Sequence, residues 1–130
     1  MSTGTVSAAP TRVALWALLT VRKTQRERFL ALIGDLAVRS VADEPGCLAY
    51  DVILIDEDAR TYGVYELYRN SGALAAHHSS PHYARWNAAA GSLIVPGGVV
   101  LRTGPVILSG ATHWSAGGRE LSANSTIRSV

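Results

Sequence analysis

Asp43-Glu44-Pro45-Gly46-Cys47-Leu48-Ala49-Tyr50-Asp51-Val52-Ile53-Leu54-Ile55-Asp56 is the stretch whose reading decides the fold. Pro45-Gly46 stops whatever helix precedes it, and a strand runs from Cys47 to Asp56. Period-two alternation puts Leu48, Tyr50, Val52 and Leu54 on one face and Cys47, Ala49, Asp51, Ile53 and Ile55 on the other. Both faces are largely apolar. An antiparallel sheet normally presents one face to water, so helices are expected over one side and a further cover, most simply a partner subunit, over the other. Asp56 to Arg60 is a polar turn, and Thr61 to Arg69 is the second strand of a hairpin.

Working outward toward the N-terminus, Arg12 to Val21 reads as a first strand. Thr24 and Glu27 have the spacing of a capping box, which starts a helix whose apolar stripe is Phe29, Leu32, Ile33, Leu36 and Ala37, reaching about Val41. Toward the C-terminus, Asn70 or Ser71 caps a short helix through His78. Ser80 as N-cap and Pro81 at the first helical position start another, with Tyr83, Trp86, Ala90 and Leu93 near helical spacing. Pro96-Gly97-Gly98 is expected to end it. Val99 to Leu108 forms the last strand, where Gly104-Pro105 marks an edge or bulge. The order is βαββαβ with a split second helix, an α+β ferredoxin-like arrangement on an antiparallel sheet. Residues 12–109 are the expected domain, 1–11 a loose arm, and 110–130 a Ser- and Gly-rich flexible tail, with Trp114, Leu121 and Ile127 able to dock on a neighbour.

Composition bounds the rest. With 130 residues, 48% hydrophobic and 17% charged, the chain can build one real core and lies outside the disordered regime. The net charge of +2 comes from scattered basic residues, and the cluster of Arg22, Lys23, Arg26 and Arg28 reads as a solvated helix face, so no nucleic-acid partner is expected. The single cysteine, Cys47, precludes an internal disulfide framework. Val13 to Leu19 has the apolarity of a signal-peptide core but lacks a basic start and a cleavage site before Arg22-Lys23; with no membrane-spanning run, a cytoplasmic protein is expected.

The chemistry-bearing residues concentrate in the third strand and the split helix. Tyr62, Val64, Glu66 and Tyr68 share a strand face, opposite Gly63, Tyr65 and Leu67. If that face lies under the split helix, His77 or His78 comes down over Glu66 and Tyr68 and closes a mostly aromatic pocket. The imidazole then suits proton abstraction from an acidic substrate hydroxyl. The bland reading pairs Glu66 with an arginine and leaves His77 to cap or pack. His77, His78 and His82 converge on a metal only if Pro81 fails to break the helix, and no carboxylate or cysteine stands at ligand spacing nearby, so no metal is expected. Trp16, Tyr50, Tyr62, His82, Tyr83 and Trp86 are candidate substrate contacts, and Trp16, Tyr50, Tyr83 and Trp86 serve equally as core. No dinucleotide or phosphate-binding fingerprint is present.

Glu44-Pro45-Gly46-Cys47, then Tyr65-Glu66-Leu67-Tyr68, then His77 nine residues after Tyr68, resembles the antibiotic biosynthesis monooxygenase family of small dimeric α+β-barrel proteins, over roughly residues 12 to 109. The resemblance implies a homodimer with sheets packed face to face. It also implies oxidation of a phenolic, quinol or aromatic polyketide-like substrate by dioxygen, with no cofactor. By position, His77 matches the family's helix histidine, Glu66 its strand carboxylate, and Tyr68 a place where members often carry Trp, which makes these three the expected catalytic residues. The first strand has no Asn, and Tyr68 replaces the Trp, so haem degradation is disfavoured. Some members rearrange substrates without oxidation. An isomerase or cyclase, or a non-catalytic small-molecule-binding dimer, are the alternatives.

Overall fold

In the computed structural model, which describes residues 11–110, the hydrophobic alternation of the first strand becomes a buried row. Leu15, Ala17, Leu19 and Val21 of β1 (Val13–Val21) all point into the core. Above them runs α1 (Arg26–Asp43), which buries Phe29, Ile33, Leu36 and Ser40. β2 (Cys47–Asp56) and β3 (Thr61–Tyr68) form the hairpin, followed by α2 (Ser71–His78), α3 (Pro81–Leu93) and β4 (Ile94–Pro105). The sheet order is β2-β3-β1-β4 with every neighbour antiparallel, the ferredoxin-like α+β topology. The proposed arm and tail, including Trp114, Leu121 and Ile127, lie outside the described residues.

Register assigns the faces. Tyr50, Glu66 and Leu15 stand side by side across three strands on the helix-covered face, as do Val52, Val64 and Ala17, and Leu54, Tyr62 and Leu19. On the other face Ile53, Gly63, Leu18 and Val100 form one row, and Asp51, Tyr65, Trp16 and Arg102 the next. Among the described residues, no helix covers that outer face. Gly63 leaves room there for the Trp16 ring, which a Cβ would approach to 2.6 Å.

Four local expectations are corrected. The capping box does not form: Thr24 adopts a left-handed φ of 68°, and Gln25 occupies the cap position without a side-chain hydrogen bond. Helix α3 ends at Leu93, and β4 begins at Ile94 and passes straight through Pro96-Gly97-Gly98. Gly97 at φ 72° absorbs the bulge between the pairs Val21–Ile94 and Leu19–Val99. The strand stops at Pro105, short of Leu108, and as an edge strand it tolerates both prolines. A register shift between Cys47 and Ala49 turns Cys47 into the core and leaves Leu48 exposed, which breaks the simple alternation at the start of β2. The caps of the split helix form as expected, Asn70 accepting from Ala73 N–H and Ser80 from Tyr83 N–H.

Candidate functional site

The Glu44-Pro45-Gly46 turn is a structural joint. Glu44 caps α1 through its N–H to Ser40 O at 3.1 Å, and Cys47 N–H closes the turn onto Glu44 O at 3.1 Å. Gly46 lies against α2 so closely that a Cβ would stand 2.4 Å from Ala73 Cβ, while its carbonyl accepts from Arg69 N–H. The turn therefore seats the Glu44 side chain beneath α2, where it meets His77.

His77 is the buried member of the His77-His78 pair, at 1% exposure, and His78 is exposed. Adjacent helical residues point about 100° apart, so burying one turns the other outward. His77 Nδ1 lies 2.9 Å from Glu44 Oε2 and 3.4 Å from Ser40 Oγ, and His77 Nε2 lies 3.9 Å from Glu66 Oε1. The Tyr68 hydroxyl donates to Glu66 Oε1 at 2.5 Å. Glu66 thus has a phenol and an imidazole as neighbours rather than an arginine. Arg26 instead donates to the Tyr62 hydroxyl at 2.8 Å.

Between the helices and the sheet lies a cavity of about 470 Å³, within the size range of small-molecule sites. Tyr50, Tyr83 and Trp86 supply aromatic wall, Leu15, Ile33 and Val64 aliphatic wall, and Glu66, His77, Asn87, Arg22 and the exposed His78 the polar groups. Val99 and Leu101 form the β4 side, which the helices leave partly open. Burial raises the Glu66 carboxyl from 4.5 to about 7, against the stabilising phenols of Tyr68 and Tyr50. Burial lowers His77 below its usual range despite Glu44 and so favours neutral imidazole. The Tyr50, Tyr68 and Tyr83 phenols are all pushed up, first by burial and then by the Glu66 charge. Cys47 is raised to about 11, by burial first and then by the charges of Glu44 and Glu66, which leaves a neutral thiol rather than a nucleophile.

Three expected substrate contacts fall elsewhere. Trp16 belongs to the outer sheet face, over Gly63. Tyr62 is on the helix-covered face but at the far end of β3, packed at 4.9 Å centroid distance on Phe29 in the core. His82 is buried behind His77, its Nε2 hydrogen-bonded to Glu44 Oε2. The sequence reading also missed Glu44 as a site residue, although it opens the turn motif. Its Oε2, His77 Nδ1 and His82 Nε2 all lie within 4.8 Å of one another, which supplies the carboxylate that the metal reading of the histidines lacked. His78 takes no part in that cluster.

Helices on one face of a four-stranded antiparallel sheet, with a histidine-lined aromatic pocket between them, define a ferredoxin-like α+β protein with a small-molecule cavity. The chain belongs to the antibiotic biosynthesis monooxygenase family, whose sequence pattern matches residues 12–89. Among solved structures it is similar to Rv0793 from Mycobacterium tuberculosis, at 27% identity and a TM-score of 0.69 over 77% of this chain and 99% of that one. It is also similar to a protein of Caulobacter crescentus CB15 named as a candidate antibiotic biosynthesis monooxygenase, at 26% identity and a TM-score of 0.70 over 76% of this chain and 92% of the other. No curated protein matches the sequence. Among the described residues, no helix is long and apolar enough to cross a membrane.

Proposed function

We propose that the protein is a cofactor-independent monooxygenase that oxidises a small phenolic, quinol or aromatic polyketide-like substrate with dioxygen. The observation that carries this reading is the disposition of the two His77 nitrogens. Glu44 accepts from Nδ1–H and so leaves the Nε2 lone pair, on the Glu66 side, available to the cavity. Tyr50, Tyr83 and Trp86 offer faces for an aromatic ring, with Leu15, Ile33 and Val64 as apolar wall beside them.

In the proposed reaction Nε2 takes a proton from the substrate, and the resulting anion reduces dioxygen by one electron. The substrate radical and superoxide combine to a peroxide anion, which takes up the proton held by His77 to give a hydroperoxide. For a methylene substrate the remaining C–H proton and the departing hydroxide then leave as water, so the balance is CH2 + O2 giving C=O + H2O with one oxygen atom retained. Glu66 lines the cavity beside the base and can orient a substrate hydroxyl, while Tyr68, fully buried and outside the cavity wall, holds Glu66 in place through its hydroxyl. The bare outer face, with Ile53 and Val100 at 38% and 45% exposure, supports a homodimer closed through the sheets.

One feature favours a second reading. Glu66 near 7 beside His77 at 3.9 Å is an acid next to a base, the pair that an isomerase or cyclase on the same scaffold needs. Oxygen uptake with a panel of anthrones and hydroquinones separates the two. The monooxygenase reading expects uptake that falls about 10²-fold or more in His77→Ala and little in His78→Ala. Turnover without oxygen uptake overturns it in favour of the isomerase, and saturable tryptophan quenching without turnover in favour of a binding protein.

A further inference from the structure

Glu44, His77 and His82 come from three elements: the C-terminal cap of α1, the last turn of α2 and the first turn of α3. Both imidazoles are directed at the same carboxylate oxygen, Glu44 Oε2. Hydrogen bonding between them leaves two things unmet. Glu44 Oε1 is buried and has no partner among the described residues. The carboxylate charge also faces imidazoles rather than a permanent cation, since its ion pairs are with His77 and His82.

We propose that Glu44 Oε2, His77 Nδ1 and His82 Nε2 form a binding site for a divalent transition-metal cation of the zinc type. Two imidazole nitrogens and one carboxylate oxygen are the donor set of three-ligand zinc sites that keep a fourth position open. Magnesium and calcium prefer all-oxygen shells, which this site does not offer. Ligation would also give the unpartnered Oε1 a role, as a second oxygen on the ion or as acceptor from its water. A tetrahedral ion spreads its donors to about 3.3 Å. That is wider than the present 2.9 Å from His77 Nδ1 to Glu44 Oε2, and rotation of Glu44, the most exposed of the three at 11%, opens the space. A cleft of about 420 Å³, lined by Pro45, Gly46, Arg69 and Ala73 among others, reaches Glu44, the ligand whose rotation would open the site.

Occupation has a consequence for the cavity. An ion on the Nδ1 lone pair moves the ring proton to Nε2, the nitrogen on the Glu66 side, so a loaded protein presents a donor there instead of a base. That consequence rests on the acid–base function proposed above; the site itself does not. Zinc would act as an inhibitor and a chelator as an activator.

The experiment is titration of chelator-stripped, full-length protein with Zn2+ by calorimetry and with Co2+ by visible absorption. Binding of one equivalent is expected, with cobalt bands of a four-coordinate site. Glu44→Gln and His82→Ala should each weaken zinc binding at least about tenfold, while His78→Ala leaves it unchanged. Should either variant fail to fold, nitrogen-15 shifts of the histidine rings in wild type decide the matter: zinc must move His77 and His82 and spare His78. No uptake at millimolar zinc, uptake undiminished in both folded variants, or unmoved His77 and His82 resonances would overturn the site. Because these readouts are independent of oxygen consumption, the site and the monooxygenase reading can fail separately.

Discussion

His77 Nδ1 and Glu44 Oε2 stand 2.9 Å apart although 33 residues separate them in the chain. A carboxylate at Nδ1 favours the tautomer with the proton on that nitrogen, which in the proposed reaction leaves Nε2 as the base. Glu44 is therefore a positioning residue for His77. Glu44→Gln, which can place either amide atom toward Nδ1, is expected to lower kcat about tenfold or more, with KM little changed, in chelator-treated enzyme. A purely structural role would lower the melting temperature and leave kcat of the folded fraction intact.

Glu66 makes stability depend on pH. Its carboxyl is raised from 4.5 to about 7 in the fold, so below pH 4.5 it is protonated in both folded and unfolded chains and contributes no difference. As pH rises from 4.5 to 7 the unfolded chain ionises first, and the folded state loses stability on the order of 3 kcal/mol before the effect levels off. Urea unfolding of the chelator-treated protein across this range should show the decline in wild type and its loss in Glu66→Gln. Parallel curves for the two proteins would exclude it.

Gly46 holds α2 at the distance that brings His77 to Glu44. Because a Cβ at this position would stand 2.4 Å from Ala73 Cβ, Gly46→Ala must displace backbone rather than a flexible side-chain tip. The expected cost is about 1–3 kcal/mol by urea unfolding, with a fall in turnover beyond that of an equally destabilised core variant. Gly34→Ala, where nothing lies within 4 Å, is the control and should be neutral or slightly stabilising.

The outer sheet face should bury itself in a homodimer. Leu18, Ile53 and Val100 share one register row there. Sedimentation at micromolar concentration is expected to give twice the 13.8 kDa chain mass, and Ile53→Lys with Val100→Glu to shift it toward the monomer. A monomeric wild type would remove the face-to-face assembly.

Much of the fold was legible in the sequence because its signals are local. Pro45-Gly46 ends α1, Ser80-Pro81 starts α3, and period-two alternation already puts Tyr62, Val64, Glu66 and Tyr68 on one face, where the structure has them. Local signals failed where two answers were locally equal. β1 is apolar on both faces, so composition alone does not tell that Leu15 faces the cavity and Trp16 the outer side. Thr24 and Glu27 had capping-box spacing, but the chain's entry into α1 required a left-handed φ at Thr24, and Pro96-Gly97-Gly98 broke no element because a strand edge absorbs a bulge that a helix cannot. The site depended most on tertiary packing. Residue types made His77 or His78 a candidate, but the phase of α2 against the sheet chose His77 and exposed His78. Glu44 gained its role only when the turn packed beneath α2, and His82 turned from a substrate contact into the other partner of that carboxylate. Spacing along a chain determines which side chains share a face; which faces meet is decided by the shapes that fill the space between them.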